Sequence, residues 1–168
     1  MGKKKHEKGA GSTPATVQLE QAGIPLKTYE YAHSNDHMDD GYGVEAATKL
    51  GFDEHQVFKT LMADTGSERV VGVVPVSGHM DLKALAAAVG AKKASMADPK
   101  VAMRESGYVV GGISPLGQRT HHKTILDESA LQYSEILLSG GKRGFSIGID
   151  PNDLLKVLDG VAAPIGTR

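Results

Sequence analysis

Three short segments carry residue types suited to chemistry. The first is Gly111-Gly112-Ile113-Ser114-Pro115-Leu116-Gly117, three glycines and a proline in seven residues, directly after the apolar Tyr108-Val109-Val110. Adjacent glycines let successive backbone N–H groups turn toward one point, which holds an oxyanion or a carbonyl oxygen without any side chain. On pattern alone a long turn fits the same residues. The second is Ser139-Gly140-Gly141-Lys142-Arg143-Gly144. Flexible backbone beside two adjacent cations suits a phosphate or a 3′-terminal nucleotide, and a solvated hairpin turn fits equally well. It is no Walker loop, because the spacing Gly-x4-Gly-Lys-Ser/Thr is absent. The third is Lys59 within Gln56-Val57-Phe58-Lys59-Thr60-Leu61. In a strand Lys59 shares a face with Val57 and Leu61. Either it crosses the rim of the core with its head in water, or it reaches into a cleft and meets an anion.

Other constellations are weaker. His33, Asp36, His37, Asp39 and Asp40 cluster, and two histidines four apart suit a metal on a helix face. The stretch reads as a solvated acidic loop instead, so no metal or other cofactor is expected. His121-His122 falls in a polar connection and reads as nothing more. A Ser–His–Asp triad lacks its Gly-x-Ser-x-Gly elbow, and no histidine can be assigned to Ser114.

The elements that must position these segments follow from caps and periodicity. Thr13-Pro14 starts a helix over 14–22, ended by Gly23 and Pro25. Residues 26–31 alternate as a strand, and 33–40 form a polar loop. Val44, Ala47 and Leu50 share one face of a helix over 42–50, with Gly51 as its cap. Strands over 56–63 and 69–76 flank Asp64-Thr65-Gly66-Ser67, a hairpin signal. Helices start after Asp81, Asp98 and Asp150, the last two with proline next. Strands are expected at 108–110, 124–126, 134–138 and 144–149. Helices and strands interleave, yet two strand pairs read as hairpins. That predicts an α/β domain with a mixed, curved, barrel-like sheet flanked by short helices rather than an all-parallel one.

Composition narrows the function. With 168 residues there is one ordinary domain. Nineteen Lys+Arg against 20 Asp+Glu leave a formal charge of −1, so no strong field pulls the chain onto nucleic acid or membrane. No apolar run approaches the roughly 18 residues that span a bilayer, and no signal peptide is visible, so a cytoplasmic protein is expected. There is no cysteine, which excludes disulfides, thiolate metal sites and a cysteine nucleophile. Aromatic content of 5% without tryptophan argues against a stacking platform for single strands. Glycine stands out: 21 residues, against about 12 from average usage.

Val57-Phe58-Lys59-Thr60-Leu61, Met96-Ala97-Asp98-Pro99, Gly107 through Gln118 and Ser139 through Gly144, in this order, resemble the YbaK family of free-standing aminoacyl-tRNA deacylases. More narrowly they are similar to bacterial Cys-tRNA(Pro) deacylases, relatives of the editing domain of prolyl-tRNA synthetase. The resemblance covers 13–158 and implies a mixed α/β fold. Residues 1–11, with four lysines against one glutamate, then read as a disordered basic tail, and 12–168 as the deacylase domain. The implied reaction removes cysteine from mischarged Cys-tRNA(Pro), with Cys-tRNA(Cys) a further substrate. Prolyl-tRNA synthetase makes the error because one pocket cannot reject a near-isostere. The implied partners are the 3′-terminal adenosine of aminoacylated tRNA and prolyl-tRNA synthetase. Lys59 matches the lysine that holds the terminal phosphate, with Thr60 beside it. Gly111, Gly112, Ile113 and Ser114 match the loop around the aminoacyl carbonyl. Tyr31 and Tyr42 match pocket-lining aromatics, with Tyr29 competing for the first position. Ser139 and Gly140 match the second glycine loop, whose Lys142 and Arg143 add cations. An acid often found two residues after Gly144 is here Ser146. With no protein nucleophile evident, the family mechanism is substrate assistance by the cysteine thiol, with oxyanion donors from Gly111–Ser114. Two other readings stay open: a deacylase for alanine or another small residue, and a non-catalytic module binding a nucleotide or aminoacyl-adenosine.

Overall fold

A computed structural model describes residues 12–32 and 42–167. In chain order it contains α1 (Pro14–Ala22), β1 (Lys27–Glu30), α2 (Tyr42–Leu50), β2 (Phe58–Asp64), β3 (Arg69–Pro75), β4 (His79–Met80), α3 (Leu82–Ala88) and β5 (Ser95–Met96). There follow α4 (Pro99–Ser106), β6 (Lys123–Asp127), a 3₁₀ turn (Glu128–Gln132), β7 (Ile136–Lys142), β8 (Phe145–Ile149), α5 (Pro151–Leu158), β9 (Val161–Ala163) and β10 (Gly166–Thr167). The expected basic tail, the loop over 33–40 and the side chain of Tyr42 lie outside the described residues.

The caps act as their residue types require. Thr13 and Thr16 form a reciprocal capping box ahead of α1, and the side chains of Asp81, Asp98 and Asp150 accept from the first turns of α3, α4 and α5. Pro14, Pro99 and Pro151 fill first-turn positions, where the absent N–H is no loss.

The main sheet runs β5-β2-β3-β6-β9 and is mixed: β2 and β3 are an antiparallel hairpin, while β3/β6 and β6/β9 are parallel. β3, buried along its valine-rich centre, is covered on both faces, as a central strand with a parallel neighbour must be. Phe58, Met62, Val71 and Val73 join the larger core on one face; Ala63, Val70, Val74 and Ile125 join a smaller one on the other. A second sheet, β1-β8-β7, is antiparallel throughout. The two meet where Val57 bridges Leu137 in parallel, with Leu137 N–H donating to Gln56 O at 3.1 Å. Mixed sheets and short helices are as expected, but the strands do not close into a barrel.

Two segments depart from expectation. Residues 108–110 form no strand. Tyr108 turns inward instead and donates its hydroxyl to Leu116 O at 2.6 Å, while Val109 and Val110 are exposed and pair with no strand among the described residues. Residues 139–142 are not a loop but the end of β7, and only 143–144 turn. The register jumps from Ser139↔Ser146 to Lys142↔Phe145, so Gly140 and Gly141 form a bulge. A β-carbon on Gly140 would overlap the ring of Phe145, which explains the glycine.

Candidate active site

The outer edge of β2 borders a cavity of 380 Å³. Val57, Met62, Val76 and Leu138 give it apolar walls, and Lys59, Thr60 and Ser139 are among its polar residues. The half-buried Lys59 donates Nζ to Gly78 O at 2.9 Å, and no carboxylate among the described residues pairs with it. Burial lowers its pKa, because the cation loses water. A cation so placed favours an anion entering from solvent. Thr60 Oγ1 is buried and has no hydrogen-bond partner among the described residues.

The structure brings most of the expected residues to this cavity. Lys59, Thr60, Gly111, Ile113, Ser139, Lys142 and Tyr31 line it. Tyr31 rather than Tyr29 faces it: Tyr29 donates to Glu135 Oε2 at 2.9 Å and packs edge-on against Phe52. Burial pushes the Tyr31 phenol up. Lys142 and Arg143, with Glu30, Tyr31 and Gly144, also line a wider hollow beside the first. Buried Ser146 lies on the cavity wall, while Asp150 is an exposed helix cap and plays no part there.

Gly112, Ser114, Gly140 and Arg143 do not line the cavity; they shape its walls. Gly112 N–H, one of the donors expected for the oxyanion, donates to Val109 O at 2.9 Å within the loop. Its reason for being glycine is steric, since a β-carbon would stand 2.7 Å from Lys142 Cα. Ser114, fully buried, accepts from Leu116 N–H through Oγ at 3.2 Å. Gly140 O accepts from Thr13 Oγ1 at 2.5 Å, joining α1 to β7. Arg143 donates Nε to Val110 O at 2.9 Å, tying the loop to the β7–β8 hairpin.

Behind the glycine loop lies a relay that spacing did not reveal. Gln118 donates Nε2 to Ser114 O at 2.9 Å, and its Oε1 lies 2.8 Å from His122 Nδ1. His122 Nε2 lies 2.8 Å from Glu105 Oε1, and Arg69 Nε donates to Glu105 Oε2 at 2.8 Å. His122 is therefore a buried member of a network, not an idle residue of a polar connection. Hydrogen bonds from Arg69, then His122, hold the Glu105 carboxyl at about 2, well below the usual carboxylate range. The partners come from β3, α4 and the connection after the loop, which no local motif could announce. Among the described residues no cluster of histidine and carboxylate side chains could hold a metal.

The profile of the aminoacyl-tRNA editing domain family matches residues 41–157, the stretch that holds β2, the glycine loop and the β7–β8 hairpin. The chain belongs to this family. It also aligns over 171 positions, at 39% identity, with EbsC of Enterococcus faecalis, assigned as a Cys-tRNA(Pro)/Cys-tRNA(Cys) deacylase. That alignment covers 100% of this chain and 99% of EbsC. The solved structure of a protein assigned as a trans-editing enzyme for prolyl-tRNA synthetase superposes with a TM-score of 0.79 at 26% identity, covering 94% of this chain and 99% of the other. The solved hypothetical protein APE2540 gives 0.81 over 92% of this chain and 100% of the other; at 19% identity it speaks for the fold alone.

Proposed function

We propose that this protein is a trans-editing deacylase that removes cysteine from mischarged Cys-tRNA(Pro) and also from Cys-tRNA(Cys). The observation that carries the reading is the meeting of Lys59, Gly111, Ile113 and Ser139 on one cavity whose half-buried cation has no carboxylate partner among the described residues. Lys59 takes a phosphate of the terminal nucleotide, and Lys142 and Arg143 at the rim attract the next one. The glycine loop and Ser139 enclose the aminoacyl ester.

The chemistry needs little from the protein. The substrate's thiol sulfur attacks its own ester carbonyl, the carbon–oxygen bond to the ribose breaks, and the thiol proton ends on the ribose oxygen. The product is a cyclic thioester that water opens to free cysteine. Attack within one molecule replaces an encounter, so orientation supplies most of the acceleration. The near-neutral chain makes few phosphate contacts and grips tRNA weakly by itself. Prolyl-tRNA synthetase, holding the same tRNA in the cytoplasm, is the partner this weakness calls for. No helix among the described residues is long and apolar enough to cross a membrane.

Release of amino acid from Cys-, Ala- and Ser-charged tRNA(Pro) tests the reading. Fast release from Cys-tRNA and slow release from Ser-tRNA is the expected result. Equal rates for the two point to an activated water; a preference for alanine reassigns the substrate; no release at all leaves a binding module.

A further inference from the structure

The two edges of β2 are filled unequally. On one edge every residue from Phe58 to Asp64 stands opposite β3. On the other, Val57 bridges Leu137, Met62 O accepts from Ala97 N–H at 3.0 Å, and Ala63 and Asp64 pair with β5. Thr60 lies midway, and among the described residues no strand pairs with it on that side.

Hydrogen-bond alternation shows where its backbone points. Val76 N–H donates to Val57 O at 2.8 Å, so Val57 turns toward β3, and with a period of two so do Lys59 and Leu61. Phe58, Thr60 and Met62 turn outward, in keeping with the bond from Ala97 to Met62 O. Carrying the Met62–Ala97 register two residues further brings Pro99 opposite Thr60. Proline has no N–H to give, and Pro99 already begins α4, so β5 cannot extend to cover the gap. The cavity lies in this gap, with Thr60, Ala97, Pro99 and Ser139 on its walls. Thr60 Oγ1, buried from solvent, also has no hydrogen-bond partner among the described residues.

We propose that this bare stretch of β2 seats the aminoacyl group itself, read as one missing strand residue. An α-aminoacyl ester carries an amine and a carbonyl in the order in which a strand residue carries N–H and C=O. Opposite Thr60, its amine donates to Thr60 C=O and its acyl oxygen accepts Thr60 N–H, the reciprocal pair of an antiparallel ladder. The seat thus selects a free α-amine and polarises the carbonyl that is attacked, while the N–H of Gly112 is engaged by Val109 O. This inference rests on the deacylase reading.

The test uses two hydrolysis-resistant analogues of 3′-amino-3′-deoxyadenosine, one acylated with cysteine and one with 3-mercaptopropionate, which lacks only the amine. Calorimetric titration of each into the full-length wild type and into Thr60→Val gives four affinities. At least tenfold tighter binding of the cysteinyl compound to the wild type is expected. In Thr60→Val, which keeps the backbone pair and changes only an oxygen buried from the cavity, that ratio holds, and its loss would overturn a backbone seat. The Thr60 amide proton moves downfield in a ¹⁵N-correlated NMR spectrum of the wild type on binding, a readout independent of the variant's folding. Equal affinity of the two analogues for the wild type, or an unmoved Thr60 amide, overturns the seat. A protein that deacylates Cys-tRNA yet shows either result loses this inference and keeps the function; one that deacylates no charged tRNA loses both.

Discussion

Gly112→Ala isolates one cause. An alanine β-carbon would stand 2.7 Å from Lys142 Cα, 3.0 Å from Lys142 C and 3.1 Å from Arg143 N. All three are backbone atoms, so no side chain can swing aside. Gly112 is not among the glycines with positive φ, and the penalty is therefore contact alone. Restoring ordinary van der Waals distance means opening the gap by roughly 0.8 Å, an overpacking strain of about 1–3 kcal/mol. The hairpin is the stiffer side, because Lys142 pairs with Phe145 in the ladder. The glycine loop moves, taking Gly111 and Ile113 with it on the cavity wall. A displacement near an ångström at a reacting group lowers turnover by about 10²-fold. Single-turnover release of cysteine from Cys-tRNA(Pro), with thermal unfolding, measures both effects. Gly66→Ala is the control: its φ is +96°, nothing lies near its β-carbon, and it sits in the β2–β3 turn. It should lose about 1 kcal/mol of stability and keep its rate. A Gly112→Ala protein with wild-type turnover and melting temperature would refute the steric argument.

Other substitutions probe the remaining groups. Lys59→Met should abolish deacylation while unfolding in urea changes by no more than about 1 kcal/mol, since the lost bond to Gly78 O is offset by removal of a desolvated cation. Because burial lowers the Lys59 pKa, the unfolded chain binds that proton more tightly and wild-type stability rises with pH once the folded value is passed. The stability difference between wild type and Lys59→Met should therefore shift in the wild type's favour between pH 7 and pH about 10. Glu105→Gln should destabilise by roughly 1–3 kcal/mol at pH 7, and urea titrations should show this difference fading as pH falls from the ordinary carboxylate range toward about 2. Gln118→Met, which releases Ser114 O and His122 together, should lower kcat several-fold with less effect on KM, as expected of a group that positions the loop from behind.

Local order was legible because its causes are local. Thr13-Pro14, Asp98-Pro99 and Asp150-Pro151 start helices through bonds to residues two or three positions on, and the turn at 64–67 needs only its own residues. The site segments were legible too, because Lys59, Gly111 and Ser139 belong to unusual runs. The strand expected at 108–110 failed for a reason that lies elsewhere: the Tyr108 hydroxyl finds Leu116 O, and no strand takes up the neighbouring backbone. His122 gains its meaning only from Glu105 and Gln118.

The order of residues by itself determined the helices and the two hairpins, since each depends on short-range geometry and alternation. Only the tertiary structure decided which neighbours those residues meet. It placed a hairpin backbone against Gly112, set Lys59 half-buried on the carbonyl of Gly78 and put Pro99 where a strand partner for Thr60 would stand. Such contacts join positions tens of residues apart, and a chain records them only once packing has brought its distant parts together.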